Sequence, residues 1–237
     1  MSRYTQEEEV VIVKDEDKTQ MKNAVDFMLY TYFKVTADES KESIMAKIVD
    51  RAYADATIRG AYNAILPPEL KAKSDAAKKT VSDRMVSDFM YVVFEKDFDP
   101  VSIMDHVKAV YDEEVNGSSE YFSFGNAQKW VNMTVKYILV VSELISAGNG
   151  EHEFCKLGKA LEKKKDRLDL PVDSYILEKM WDMKEITIPI RSERKGKYTA
   201  DKVKPWSRWS KEDYMIFRES LHKSIKCPVD WEASAWI

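Results

Sequence analysis

A chain of 237 residues and 27.5 kDa is long enough to bury a large core as one domain or as two small ones, so stability requires neither a metal ion nor a disulfide bond. Its 44% apolar and 33% charged residues, with only 7 Gly and 7 Pro, exclude the disordered, collagen-like and low-complexity classes. The net charge of −4 weakens the case for a nucleic-acid partner without excluding one, because the charges are unevenly distributed.

Cysteine usage and the apolar segments indicate the compartment. Cys155 and Cys227 are too few for a disulfide framework or a four-cysteine zinc site, which favours a reducing environment. The acidic segment 1–18 contains no apolar run of signal-peptide length, and the most apolar longer stretch, 137–141, is far shorter than a membrane span. We therefore expect a cytoplasmic protein that has no membrane partner and no metal site.

Helical periodicity dominates the first half of the chain. Apolar residues recur at three- and four-residue steps, which predicts amphipathic helices over 17–34, 39–64 and 69–95. Pro67-Pro68 separates the second helix from the third. Pro100 suits the first turn of a fourth helix, which is predicted to run through Val110 before a turn at 116–119.

The most informative segment is a long apolar helix in the middle of the chain. It is predicted to begin at Gly125-Asn126 and to end near Ser146, and apolar residues cover nearly all of its sides, which is typical of a central helix. A narrow polar stripe, formed by Lys129, Asn132, Lys136 and Glu143, lies on one side. The stripe either lines a cleft or reaches solvent.

The remaining segments alternate between loops and short helices. After a charged stretch at 157–167, Pro171-Val172-Asp173 predicts a loop whose aspartate caps a helix over 174–183. A basic connector at 187–205 follows. Ser210 with Asp213 then opens a helix over 211–226, and the last tryptophans of the chain are expected to be core anchors.

Charge is concentrated in the segment 156–211. It contains 16 Lys+Arg against 9 Asp+Glu, a local net charge of +7, and the rest of the chain carries −11. With Tyr198, Trp206 and Trp209 inside it, the segment can follow a phosphate backbone and offer aromatic faces to bases. The alternative interpretation is a solvated loop region.

The Gln128-Lys129 pair at the head of the apolar helix, with Lys136 seven residues on and Leu170-Pro171-Val172-Asp173 at a later helix start, resembles the helix-hairpin-helix DNA glycosylase superfamily. The pattern is most similar to that of the archaeal 8-oxoguanine glycosylases. The likeness covers 122–180, a quarter of the chain. Two departures are a longer separation of Lys129 from Asp173, which requires an insertion near 148–167, and the absence of a Gly-x-Gly turn in the hairpin.

The resemblance implies an all-α fold of two helical lobes, with a helix-hairpin-helix-like element and a cleft between them. The whole chain, 1–237, is then one glycosylase-like domain, divided into a helical lobe at 17–115 and a hairpin and catalytic lobe at 121–237. The implied partner is double-stranded DNA with a modified base, bound by a monomer without a cofactor. The implied base is an oxidised purine, and glucosylated hydroxymethylcytosine in phage DNA is the alternative that a phage-defence glycosylase of this type would remove.

The resemblance also assigns the reacting groups. Asp173 is the essential carboxylate, because cleavage of a base–sugar bond develops positive charge on the deoxyribose that a fixed anion stabilises. Lys129 is the Schiff-base nucleophile, which attacks C1′ as a neutral amine, or the residue that positions the nucleophile. The field at a helix N-terminus favours an anionic Asp173 and disfavours a cationic Lys129. Lys136, about 10 Å further along the same helix, is the alternative reactive lysine.

Further residues are expected to contact DNA. The aromatic candidates for stacking on a flipped base, each of which also suits a core position, are Phe124, Trp130, Trp206 and Trp209. Gln128 or Asn132 can hydrogen-bond the base edge. The candidates for contacts with the DNA backbone are Gly125, Arg194, Lys195 and Lys197.

Two functions from other classes stay open. One is a non-catalytic helical module that binds DNA or a protein, and the other is an unrelated helical nuclease or defence effector. Arg218 and His222 enclose only three residues, too few for the Arg-x4–6-His spacing of helical ribonucleases. His152 and Cys155 lack the second pair that a zinc site needs, and the sequence contains no glycine-rich phosphate loop or nucleophile elbow.

Overall fold

The structure is a computed structural model that describes residues 15–57, 68–115, 122–149 and 151–235. Within these ranges the chain is all-α, as predicted, with nine α-helices, three short 3-10 helices and one isolated antiparallel bridge between Ile190 and Val203. The α-helices are α1 (Asp15–Phe33), α2 (Lys41–Thr57), α3 (Pro68–Tyr91), α4 (Pro100–Glu114), α5 (Phe124–Asn149), α6 (Cys155–Glu162), α7 (Ser174–Lys179), α8 (Lys211–Ser224) and α9 (Pro228–Ala235).

The helix boundaries confirm the periodicity in outline and correct it in detail. The charged stretch after α5 contains α6 and a 3-10 turn at Lys165–Arg167, which the sequence interpretation missed. The helix predicted over 174–183 ends at Lys179. The extension of the second helix to Ala64 and the turn at 116–119 lie outside the described residues.

Helix α5 is the centre of the fold, since α1, α2, α4 and α6 all pack against it. Trp130 is fully buried on it, donates its indole N–H to the Val49 carbonyl and meets the Tyr53 ring edge-on. Gly158 of α6 lies so close to α5 that a Cβ there would stand 2.1 Å from the Ser142 hydroxyl oxygen. Close packing on several sides explains why the apolar residues of α5 are not confined to one face.

Helix α5 is also the one helix, within the described ranges, that is long and apolar enough to cross a membrane by length and composition. The apolar stretch is therefore longer than the sequence interpretation expected. Because the helix forms the core against which its neighbours pack, its apolar character has a structural cause, and the finding is weak evidence for a span.

The loop 168–172 positions the site. Every residue in it is buried, and the chain then exits at Asp173 to begin α7. A buried loop must find partners for its backbone N–H and C=O groups inside the protein. For Leu170 and Val172 those partners are polar side chains of α5, and the Leu168 N–H donates to the Lys165 carbonyl. The predicted division into two lobes, the hairpin between α4 and α5 and the cleft stay predictions, because 116–121 lie outside the described residues.

Candidate functional site

Lys129 and Asp173 form a direct ion pair. The Lys129 Nζ lies 2.8 Å from the Asp173 Oδ2, although the two residues are 44 positions apart in the chain. The lysine side chain is 8% exposed and the aspartate side chain 22%. Asp173 also caps α7, since its Oδ1 accepts from the Ile176 amide at 2.9 Å. The resemblance assigns both residues to one reaction, and the structure brings their side chains together.

The residues that precede the pair form a second link between the same elements. Gln128 is fully buried, its amide nitrogen donates to the Val172 carbonyl at 3.0 Å, and its amide oxygen accepts from the Val172 N–H at 3.2 Å. One carboxamide thus satisfies both backbone groups of Val172. The residue predicted to read a base edge instead fixes α5 against the loop at the point where Asp173 emerges.

Asn132, one turn further along α5, is also buried and committed to the loop. Its side-chain nitrogen donates to the Leu170 carbonyl at 3.0 Å and to the Tyr214 hydroxyl at 3.2 Å. Its Oδ1 has no hydrogen-bond partner within the described part of the chain. The polar stripe of α5 therefore supports a buried loop next to the ion pair.

Asp169 is the hub of a buried charged cluster that the sequence interpretation missed. Its carboxylate accepts from the Tyr214 hydroxyl at 2.8 Å, from the Arg218 guanidinium and from a ring nitrogen of His222. Burial, followed by the charge of Asp169, raises the pKa of Tyr214 well above its ordinary value, so the phenol stays neutral and donates. Arg218 also bonds Asp99, the N-cap of α4.

One sequence signal could have revealed the cluster. Arg218 and His222 stand four residues apart on α8, a spacing that places both side chains on one helix face. Their spacing does not match that of helical ribonucleases, and the sequence interpretation gave them no role. Their shared partner is Asp169, which lies 49 and 53 residues away in the chain.

Lys136 has a structural partner. Its ammonium lies 2.7 and 2.8 Å from the two carboxylate oxygens of Glu232 on α9, and the Glu232 side chain is buried. The same helix receives a hydrogen bond from the Tyr175 hydroxyl of α7 to the Ala235 carbonyl. Helix α9 therefore ties α5 to α7, and Lys136 serves this contact instead of facing an open substrate site.

The aromatic residues predicted to stack on a base are mostly core residues. Phe124, Trp130 and Trp209 are buried, and the indole N–H of Trp209 is bound to the Lys204 carbonyl. Trp206 is partly buried against the core. Of the two interpretations offered for these rings, the core one applies to the three buried residues, and Trp206 alone keeps an accessible surface.

Gly125 does not offer its amide to a phosphate. The Gly125 N–H donates to the Trp209 carbonyl at 3.1 Å. A Cβ at this position would stand 1.7 Å from the Trp206 carbonyl oxygen, so glycine is required by the close approach of the 3-10 segment Trp206–Arg208. The predicted DNA contact at Gly125 is corrected accordingly.

Arg194 is likewise structural. Its guanidinium donates to four backbone carbonyls near the end of α7, those of Met180, Trp181, Met183 and Ile186. Four of the five N–H donors of the guanidinium are thus used by the protein, and at most one is left for a phosphate, which corrects the prediction for this residue. Lys195 is exposed and pairs with Glu193 at 2.5 Å, whereas Lys197 is exposed and forms no ion pair within the described residues.

Neither catalytic candidate lines the cavity of about 780 Å³ beside α8. That cavity is lined by Phe98, Ile216, Arg218 and His222, among others, and so borders the Asp169 cluster. In the described ranges no three His, Cys, Asp or Glu side chains are grouped in a way that could hold a metal ion.

Comparison with known proteins adds no identification. The chain matches no protein-family model, no curated protein and no solved structure.

Proposed function

We propose that the protein is a DNA glycosylase that flips a modified base out of duplex DNA and cleaves its N-glycosidic bond. The observation that carries the proposal is the 2.8 Å pair of Lys129 and Asp173, which joins a long central helix to a helix cap 44 residues later. These are the two residues that the resemblance to the glycosylases singles out. Their pairing in the folded chain supports assigning them to one reaction centre.

Asp173 has the chemistry for the bond-breaking step. As the base departs, the deoxyribose becomes an oxocarbenium-like cation, and a carboxylate fixed beside it lowers the energy of that state. Fixing costs nothing during the reaction, because the Ile176 amide already holds one carboxylate oxygen. Asp173 is also the less buried member of the pair, so it is the one more open to an incoming sugar.

Lys129 has two possible roles that differ in proton chemistry. As an ammonium it donates to Asp173 and orients the carboxylate. To attack C1′ it must first give up a proton, because only the neutral amine carries a lone pair. The nearest acceptor for that proton is the carboxylate it already contacts. If Lys129 reacts as the neutral amine, its nitrogen bonds to C1′ while the bond from C1′ to the base breaks, and the base leaves with the proton that Asp173 received. The sugar ring then opens at the C1′–O4′ bond to give the Schiff base. If Lys129 stays an ammonium, water attacks C1′ instead.

The decisive experiment measures released bases by mass spectrometry. Duplexes with 8-oxoguanine and phage DNA with glucosylated hydroxymethylcytosine are the first two substrates to test. On any substrate that the wild type processes, Asp173→Asn should lower the rate by orders of magnitude, because it removes the negative charge but keeps an oxygen to cap α7. Full base release by this variant would refute the mechanism.

Borohydride trapping assigns the role of Lys129. If Lys129 is the nucleophile, the wild type is trapped on DNA, Lys129→Gln is not, and Lys136→Gln still is. Lys136 is a matched control because it is also an α5 lysine paired with a carboxylate. Trapping lost only in Lys136→Gln would reassign the nucleophile. Base release without trapping makes water the nucleophile and leaves Lys129 as a positioning residue.

A non-catalytic helical module is the second candidate. It is favoured by the fact that both carboxylate oxygens of Asp173 already have protein partners, as they would in a purely structural contact. Such a module would bind DNA without releasing any base. In that case Asp173→Asn would change the free energy of unfolding and leave DNA affinity intact.

A further inference from the structure

The basic connector after α7 folds back on itself as a hairpin. Its ends meet at the bridge between Ile190 and Val203, and we call its turn, residues 195–198, the tip. Within the tip Gly196 has a φ of +65°, the left-handed conformation that glycine adopts without strain. Lys195, Gly196 and Lys197 are all exposed.

The carbonyl groups of the tip are held from the protein side. The Lys202 ammonium donates to the Lys195 and Lys197 carbonyls, both at 2.8 Å. The indole N–H of buried Trp181 donates to the Gly196 carbonyl at 2.6 Å. Two side chains therefore hold three consecutive carbonyls, so the conformation of the tip is fixed by hydrogen bonds to the rest of the protein.

Fixed carbonyls determine the direction of the amides. In a planar trans peptide the C=O of one residue points opposite to the N–H of the next. The N–H groups of Gly196 and Tyr198 therefore point away from Lys202, and the N–H of Lys197 points away from the Trp181 indole nitrogen. Because the Lys202 ammonium lies 5.9 Å from the centroid of the Trp181 ring, the three amides are directed away from the same part of the protein. None of these three amides has a hydrogen-bond acceptor within the described residues.

Successive outward amides around a left-handed residue form a concavity that binds anions. The positive charges around the tip are those of Lys195, Lys197 and Lys202. They are opposed by Glu193, which pairs with Lys195, and by the carboxylates of Glu178 and Asp173, whose charges reach Tyr198. Lys197, without an ion pair in the described chain, can add a direct charge contact. The chemistry matches a tetrahedral oxyanion, a phosphate group above all.

The tip also lies near the proposed reaction centre. Arg194 fastens the hairpin to the end of α7, and Asp173 caps the start of that helix, about 10 Å away at 1.5 Å per residue. Burial raises the pKa of Tyr198, and the charges of Glu178 and Asp173 raise it further. Tyr198 of the tip therefore lies within electrostatic range of the Asp173 carboxylate. Phosphates of one strand follow one another at about 3.4 Å of helix rise, so a strand whose sugar lies at Asp173 has a phosphate about 10 Å away within three nucleotides.

We propose that the amides of Gly196, Lys197 and Tyr198 bind a phosphate of the DNA strand that carries the flipped nucleotide. The inference rests on the proposed function for the identity of the phosphate, and on the hydrogen bonds of Lys202 and Trp181 for the site. In this proposal the hairpin tip, and not Gly125 or Arg194, contacts the DNA backbone.

Amide resonances of the full-length, 15N-labelled chain test the site directly. Inorganic phosphate, added at constant ionic strength, should move the amide proton resonances of Gly196, Lys197 and Tyr198 downfield in a saturable way, and chloride should not. A duplex with a tetrahydrofuran abasic analogue should move the same three resonances at much lower concentration. The Gly158 amide, inside the packed α5–α6 contact, is the internal reference.

Two lysine variants separate orientation from charge. Lys202→Met releases two tip carbonyls and should weaken binding of the abasic duplex about tenfold, the equivalent of one charge-assisted contact. Lys195→Met removes the same charge from the tip without touching the carbonyl tether, and should weaken binding about twofold or less. Equal losses in the two variants would show that general electrostatics, and not the oriented amides, hold the DNA.

The remaining outcomes decide between the two proposals. Absence of a saturable shift with phosphate and with DNA overturns the phosphate site, even if base release is observed. A shift with phosphate but not with DNA overturns the assignment to the DNA strand. A shift with both and no base release from any substrate supports the phosphate site and refutes the glycosylase.

Discussion

Replacing Gln128 with Met is expected to destabilise the protein severely, although the substitution hardly changes the size of the side chain. The substitution keeps an unbranched side chain of similar volume but deletes both hydrogen bonds to Val172. The N–H and C=O of Val172 are then left buried without a partner. Each buried unsatisfied group costs about 1–3 kcal/mol, so the expected loss for the two groups is about 2–6 kcal/mol.

A loss of that size is a large part of the stability of an ordinary domain, which is about 5–15 kcal/mol. Urea denaturation measures it as a lower midpoint at unchanged slope. Gln20→Met is the matched control, because Gln20 is exposed on α1 and should change the free energy of unfolding by less than about 0.5 kcal/mol.

The same variant tests whether the two hydrogen bonds between Gln128 and Val172, here called the clamp, support the proposed reaction centre. Val172 immediately precedes Asp173, so under the proposed glycosylase function a displaced Val172 should lower base release by more than the unfolded fraction explains. A change in unfolding free energy below about 1 kcal/mol would mean that the loop finds other partners, and would refute the clamp. Loss of stability with full activity of the folded fraction would confine Gln128 to folding.

Three further outcomes follow from single contacts. Arg194→Gln should lower unfolding free energy by about 2–4 kcal/mol, since four carbonyls lose a charged donor, whereas Lys195→Gln should change it by less than about 0.5 kcal/mol. Gly125→Ala should lower the melting temperature, because its methyl group would overlap a carbonyl oxygen of the backbone, and Gly196→Ala, whose surroundings are open, should perturb only the tip. Acid titration should show that Glu39 stabilises the fold. Burial raises the pKa of Glu39, but hydrogen bonds from a lysine and from two hydroxyl side chains outweigh this and lower the pKa to about 2. The contribution of Glu39 to the free energy of unfolding is therefore lost as the pH falls from 4.5 to 2, and Glu39→Gln should remove that part of the pH dependence.

Local patterns were sufficient to predict the elements that carry the ion pair. The all-round apolar character of α5 indicated a central helix, and Pro171-Val172-Asp173 indicated a cap, because both signals depend on near neighbours in sequence. The likeness to the glycosylases then paired Lys129 with Asp173, and the structure places them in contact.

Long-range partners explain most of the corrections. Arg194 looked like a phosphate contact, yet its partners are carbonyls whose positions depend on where α7 ends. Gln128 and Asn132 looked like readers of a base, yet their partners lie 44 and 38 residues away in the loop 168–172. A sequence pattern shows that a polar residue is on an apolar helix but not which backbone group it satisfies.

In the Asp169 cluster, a second substitution is expected to remove less unfolding free energy after the first one than it would remove alone. Asp169 is 1% exposed and Arg218 has a side chain 17% exposed, so removing one charge leaves the other buried with reduced compensation. Asp169→Leu should therefore cost about 3–5 kcal/mol of unfolding free energy.

Removing both charges should cost less than the sum of the two single losses. In the double variant Asp169→Leu, Arg218→Met no uncompensated guanidinium remains, and the pair should show a coupling of about 1–3 kcal/mol in a double-mutant cycle measured by urea denaturation. Asp99 still faces Arg218 in the single variant and limits the size of the effect. If the losses of unfolding free energy in the two single variants are additive, Asp169 acts mainly through Tyr214 and His222. The Arg218 guanidinium would then not be the group that compensates the buried charge of Asp169.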